Sequence, residues 1–248
     1  MRIRRATGIA VIALTVLVAA ACGGGAETPT SATAHGTPSP APPPAKAVDT
    51  TVNSKGLREP REVAYAKPKG RMRIICVGAS ATFGDGVARD ATYEAWMQKN
   101  MRGRGYDVEV LNAGKPGRSL GESANLLESE LLKYDPSLVI VSVQKDEGSG
   151  TAEDLRKIET MLAAKGIVYI LLAIPDYAAV EGYTPKPPEA YVVPSKAALD
   201  VFDSESAMVD TRGHWTEFAH KKMGNALAEL IVGAPLICCA TGPQPANP

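Results

Sequence analysis

The sequence predicts an α/β fold, a parallel β-sheet with helices packed on both of its faces. Two observations carry that expectation. Short runs of β-branched and aliphatic residues alternate with longer amphipathic segments in the order βαβαβαβ…α. The run Leu138-Val139-Ile140-Val141-Ser142-Val143 is almost unbroken in apolar character, as a strand covered on both faces should be.

The elements follow in order. Met72 to Val77 is the first expected strand, ending in the small-residue turn Gly78-Ala79-Ser80-Ala81. Ala91 to Arg104 reads as a helix with Asp90 as its cap, and Trp96, Met97 and Met101 begin its apolar face. Asp107 to Leu111 is the second strand. Leu120 to Lys133 reads as a helix carrying Leu120, Ala124, Leu127 and Leu131 on one side. After the strand Leu138 to Val143 comes a helix over Ala152 to Lys165, opened by Thr151 as cap with Asp154 three residues on. Ile167 to Ala173 is another strand, and Phe218 to Val232 the closing helix. The stretch between Pro175 and Asp210 offers no long apolar lid, so any site at the sheet edge should be an open, shallow groove.

These elements place one domain at residues 67–237, within 248 residues. Residues 1–21 have the layout of a secretory signal: Arg2, Arg4 and Arg5, then an apolar run from Ile9 to Ala21 too short to span a bilayer comfortably. Ala19-Ala20-Ala21-Cys22 followed by glycines resembles a bacterial lipoprotein cleavage box, with Ala19 where leucine is usual. On that resemblance Cys22 becomes the lipidated first residue, and the chain is secreted across the cytoplasmic membrane and lipid-anchored to the cell envelope; plain secretion is the alternative. Residues 22–66, rich in Pro, Thr, Ser, Ala and Gly, read as a disordered tether that includes His35. Residues 238–248 read as a disordered tail.

The whole chain is formally neutral, and losing the signal would leave it mildly acidic. With no basic patch and no interleaved aromatics, nucleic acid is not an expected partner. Cys76 reads as a buried thiol, and its pairing with Cys238 or Cys239 stays open. No Cys/His cluster has metal-ligand spacing, and no cofactor is expected.

Ser80 is the most informative residue. A serine at the carboxyl end of a first strand sits where open α/β sheets bind ligands. It is a candidate nucleophile provided a histidine reaches it. The chain has three histidines, and His214 lies near its far end beside Trp215. The glycine turn fits neither a dinucleotide fingerprint nor a P-loop, and it is not the nucleophile elbow of the α/β-hydrolases.

Four blocks in this order resemble the SGNH (GDSL-type) hydrolases. They are Gly78-Ala79-Ser80 with Ala81-Thr82-Phe83-Gly84; Asn112-Ala113-Gly114-Lys115-Pro116-Gly117-Arg118-Ser119; Gln144-Lys145-Asp146-Glu147; and Asp210-Thr211-Arg212-Gly213-His214. Ala219-His220-Lys221 stands where Gly-His-Arg is common in the family. The resemblance covers essentially the whole domain. It implies a flavodoxin-like three-layer α/β/α sandwich and an esterase acting through Ser80, His214 and Asp210, with the Ser80 and Gly117 amides as oxyanion donors. The implied substrates are acetyl or short acyl esters on envelope glycans, or lipid esters.

The chain departs from the family pattern at three places. Ala79 replaces the aspartate before the serine, Asp146 replaces the asparagine that donates to the oxyanion with Gln144 in place of that block's glycine, and Asp210 lies four residues before His214 rather than three. A binding protein without turnover and an acyltransferase on envelope glycans are therefore kept as alternative readings. Each residue also has a structural reading: Ser80 and Asp210 as caps, His214 as a loop residue packed on Trp215, Gly117 as a turn. His220 is expected as a solvated helix residue, and Glu147 and Glu217 as surface charges.

Overall fold

The structure, a computed structural model, describes residues 48–144, 152–174, 180, 182–183, 190–194 and 214–234. Five parallel strands form one sheet in the order β2-β1-β3-β4-β5. They are β1 Met72–Gly78, β2 Val108–Gly114, β3 Leu138–Gln144, β4 Val168–Ile174 and β5 Ala190–Pro194. The helices are α1 Ser80–Phe83, α2 Tyr93–Gly103, α3 Leu120–Ser129, α4 Ala152–Ala163 and α5 Glu217–Gly233. This is the three-layer α/β/α sandwich with a parallel sheet that the sequence predicts.

Side chains alternate across the sheet. Ile75, Val77, Val139, Val141 and Leu171 point to a layer made by Leu127 of α3 and Leu155, Ile158 and Leu162 of α4. Ile74, Cys76, Ile140, Ile170 and Leu172 point to the opposite layer, with Met97 and Met101 of α2 and Met223, Leu227 and Ile231 of α5. Each such side chain contributes roughly 1.5–3 kcal/mol by leaving water, so the two buried faces hold the central strands in register. The Cys76 thiol is buried and free, and burial pushes its pKa well up, which leaves it inert.

The chain leaves β1 toward β2 on one side and then crosses to β3 on the other. β1 is thus the point where the strand order reverses, and the loops after β1 and β2 leave the carboxyl edge there. Lys115 N–H donates to Gly78 O at 3.0 Å, drawing the loop after β2 across the end of β1.

Several elements differ from expectation for local reasons. Thr92, not Asp90, caps α2: its Oγ1 accepts from the Ala95 amide at 3.4 Å, while Asp90 lies in a preceding 3-10 turn, Arg89–Ala91. α3 stops at Ser129 rather than Lys133; a 3-10 turn, Leu131–Tyr134, follows and closes on Asp135 at φ 50. Its start carries a capping box that fixes its first turn, with Ser119 Oγ accepting from Glu122 N–H and Glu122 accepting from Ser119 N–H. Strand β5 was not expected, because a five-residue run ending in proline carries little periodic signal.

The end of the expected tether, residues 48–66, is not solvated throughout. Leu57 and Arg58 within it are fully buried. Leu57 enters the core, and the Arg58 amide donates to Asn112 O at 2.8 Å. Composition over a long window hides two such anchoring residues. The residues around Cys22, the cap Thr151, and Cys238 and Cys239 lie outside the described residues.

Candidate active site

Ser80 begins α1, the single helical turn that follows β1, and it is 8 % exposed. Its carbonyl accepts from Gly84 N–H at 2.9 Å and Asp85 N–H at 3.1 Å, so the turn is wound tightly around it. Two glycines make room for this winding. A Cβ on Gly78 would lie 1.7 Å from Ser142 Oγ, and one on Gly114 would lie 2.1 Å from the Phe83 nitrogen. Asn112 ties the same turn to β2: its amide donates to Thr82 O at 2.7 Å and its oxygen accepts from Gly114 N–H at 2.9 Å. Thr82 Oγ1 pairs with Ser142 Oγ at 2.7 Å and with the Tyr93 hydroxyl at 3.2 Å, a buried polar chain under α1.

After α1 the chain passes through Gly84 (φ 75) and Gly86 (φ 90), both left-handed, with Asp85 between them. Arg58 holds this turn from inside. Its Nη1 donates to the Phe83 and Gly84 carbonyls and its Nη2 to Val87 O at 2.8 Å. Burial lowers the pKa of that guanidinium.

His214 lies just before α5, which is capped by Thr216 Oγ1 accepting from the Ala219 amide at 3.3 Å. The His214 Nδ1 is 3.6 Å from Asp85 Oδ2, a contact too long for a hydrogen bond. The contact brings the segment before α5 against the turn that carries Ser80. The neighbouring Trp215 is buried and packs edge-on against Tyr93 and His220, with ring centroids 6.2 and 5.5 Å away.

The loop after β2 presents Gly117 at φ 72, exposed, with open space where a Cβ would stand. The beginning of the same loop meets the Ser80 turn at Gly114. Ala79, Arg118, Leu120, Ser142 and Gln144 line a small cleft beside the Ser80 turn, about 10 Å³ in volume, room for about one water molecule. Arg118 Nη1 donates to Ala113 O, and burial lowers its pKa. Gln144 Oε1 is buried there without a hydrogen-bond partner among the described residues. Asp146, Asp210 and Glu147 lie outside the described residues.

His220 differs from the solvated helix residue expected. It is 1 % exposed and its Nδ1 accepts from Tyr93 N–H at 3.2 Å. Burial, with Arg58 adding a smaller push, lowers its pKa to about 3. It is a neutral core histidine joining α5 to α2. The α2 residue Glu94 is also buried, both carboxyl oxygens lacking a partner among the described residues, and burial raises its pKa to about 8.

Sequence reasoning did not single out Asp85, Arg58 or Glu94. Asp85 carried a readable signal, an acid between two glycines five residues after the candidate nucleophile. Arg58 and Glu94 carried none, since isolated charged residues are normally solvated.

No protein-family model matches the chain, and no curated protein matches it by sequence. Solved structures do share its fold. A family 3 carbohydrate esterase of Clostridium thermocellum matches at TM-score 0.54 and 16 % identity, covering 68 % of this chain and 99 % of that one. The psychrotrophic esterase EstA of Pseudoalteromonas sp. matches at TM-score 0.52 and 15 % identity, covering 65 % and 97 %. A protein of the G-D-S-L lipolytic family from Desulfitobacterium hafniense DCB-2 matches at TM-score 0.51 and 16 % identity, covering 64 % and 99 %. The chain has the fold of the SGNH hydrolases.

Proposed function

We propose that the chain is a serine esterase that hydrolyses acetyl or short acyl esters, Ser80 acting as nucleophile and His214 as base. The observation that most supports this is the His214–Asp85 contact, which brings a histidine from the far end of the domain to the turn that begins with Ser80. Two blocks about 130 residues apart in sequence meet at the edge where such sheets hold ligands.

In this reading His214 Nε2 takes the Ser80 proton as Oγ attacks the ester carbonyl. Negative charge collects on the carbonyl oxygen, and the Ser80 and Gly117 amides donate to it. Collapse of the tetrahedral intermediate expels the alcohol, which takes the proton from His214, and leaves an acyl group on Ser80. Water then attacks that acyl group, giving its proton to His214. Breakdown releases the carboxylic acid and returns the proton to Ser80. By the family resemblance Asp210 orients the histidine, and Asp146 occupies the third donor position.

Carbohydrate-bound esters are the favoured substrates: a structural neighbour is a carbohydrate esterase, and a tethered enzyme outside the cytoplasmic membrane meets envelope glycans. The anchor is Cys22. The reading is tested by p-nitrophenol release from acetyl, butyryl and octanoyl esters. Wild type should favour the short chains, and Ser80→Ala should lose at least about a thousandfold in rate. Equal rates for the two proteins would refute it. The Asp146 substitution favours a second reading, a binding protein without turnover, which predicts no release above background from either.

A further inference from the structure

We infer that Asp85 is a positioning residue for His214, holding the imidazole by its Nδ1 side so that Nε2 faces Ser80. The inference rests on the reading of Ser80 and His214 as nucleophile and base, and it adds an acid that the family's block pattern does not supply. In a Ser-His-acid arrangement the carboxylate belongs at Nδ1, where it selects the tautomer and stabilises the imidazolium that forms. Asp85 Oδ2 stands 3.6 Å from that nitrogen. A shift of roughly 0.8 Å converts the contact into a charge-assisted hydrogen bond, and such bonds often tighten only in the Michaelis complex.

The turn that bears Asp85 is built to hold it still. Gly84 and Gly86 adopt left-handed conformations that other residues resist. A Cβ on Gly84 would lie 2.6 Å from Thr92 Cγ2 and 2.9 Å from Arg58 Nη1. Asp85 N–H is bonded to Ser80 O, Val87 N–H to Gly84 O, and the buried Arg58 grips the carbonyls of Phe83, Gly84 and Val87. On the other side, Trp215 is buried against Tyr93 and His220, which fixes the backbone next to His214. Both partners are only partly exposed, His214 at 26 % and Asp85 at 30 % of their side chains, so the pair is shielded without being sealed from substrate. One turn therefore starts with the nucleophile and ends with the carboxylate that aims its base, linked by a single backbone hydrogen bond. Buried polar scaffolding of this kind preorganises a site.

The test uses the full chain with Asp85→Asn, Asp85→Ala, Asp85→Glu and Asp210→Asn. Two readouts are taken: kcat and KM on p-nitrophenyl acetate, and the imidazole nitrogen resonances of the three histidines. Asp85→Asn and Asp85→Ala should lower kcat by about a hundredfold or more with KM little changed, since the wrong tautomer disables the base. Asp85→Glu should recover at least roughly a tenth of the rate, because a carboxylate one methylene longer still reaches Nδ1. The His214 nitrogens should shift in Asp85→Asn and stay close to wild type in Asp85→Glu, while His220 is unmoved. A merely structural role would leave the His214 tautomer unchanged.

Should Asp85→Asn keep the wild-type kcat and His214 resonances while Asp210→Asn loses activity, the role of Asp85 is refuted. The same holds if Asp85→Asn slows the enzyme with the His214 signals unmoved. The resonances are read without turnover. If wild type hydrolyses no ester and His214 still shifts in Asp85→Asn, the contact stands and the esterase reading falls. If Ser80→Ala abolishes hydrolysis and Asp85→Asn changes neither readout, the esterase reading stands and Asp85 falls.

Discussion

At the scale of single residues, the proposed chemistry turns on what faces the oxyanion. Serine, histidine and two backbone amides are in place by sequence, but Asp146 stands where an amide side chain is expected. An ionised carboxylate cannot donate, and about 4 Å from an oxyanion it repels it by about 4 kcal/mol at an effective dielectric near 20. A missing donor costs on the order of 3 kcal/mol. Asp146→Asn should therefore raise kcat/KM near neutral pH by roughly tenfold or more, a modest share of those costs. Gln144, which lines the cleft beside the Ser80 turn, carries the competing donor in its side-chain N–H groups. If the Gln144 amide serves the oxyanion instead, Asp146→Asn is neutral and Gln144→Ala loses about a hundredfold. Both variants measured on one activated ester decide between them.

At the scale of elements, α2 and α5 each bury an ionisable group that folds neutral. Gly224 lets the helices approach closely, since a Cβ there would lie 2.4 Å from Tyr93 O. His220 sits against this contact, and Glu94 is buried next to Tyr93 on α2. The folded-state pKa of Glu94 is raised from 4.5 to about 8, so the unfolded chain releases this proton first as pH rises. Stability from this group is full below pH 4.5 and is lost as pH climbs toward 8, by a few kcal/mol, since each unit is worth about 1.4 kcal/mol. His220 has the opposite sign. Its pKa falls from 6.5 to about 3, so its contribution is lost as pH drops through that window. Glu94→Gln should therefore unfold at higher denaturant than wild type at pH 8.5, with the gain shrinking toward pH 5. Urea midpoints at the two pH values check this, and an equal shift at both would contradict it.

The same elements show what a sequence can and cannot carry. The strands were legible because both faces of β1 and β3 are apolar, and the glycine turns because their neighbours demand glycine. Ser80, Gly117 and His214 were legible as motif positions. Asp85 was legible only as an acid between two glycines; its role depends on a contact across about 130 residues of chain. His220 was misread because one histidine in a helix of mixed polarity has no periodic signature, and only the packing of α5 on α2 buries it. Leu57 and Arg58 were hidden by the composition of the segment around them.

At the scale of the molecule, a parallel sheet whose order reverses at β1 gathers the loops after β1 and β2 at one edge, and His214, just before α5, meets that edge. In the proposed reading, the small-residue box ending at Cys22 ties this domain to a membrane. Cys22→Ser should abolish lipid modification and leave the precursor unprocessed there. Mutant protein that still partitions into detergent like wild type would contradict the anchor. The central claim, that Ser80 is a nucleophile activated by His214, is tested most directly by a fluorophosphonate probe followed by peptide mass spectrometry. Wild type should take up one phosphonyl group on the peptide containing Ser80, at a rate that falls at least about a hundredfold in His214→Ala. Labelling elsewhere, none at all, or equal labelling in the two proteins would contradict it.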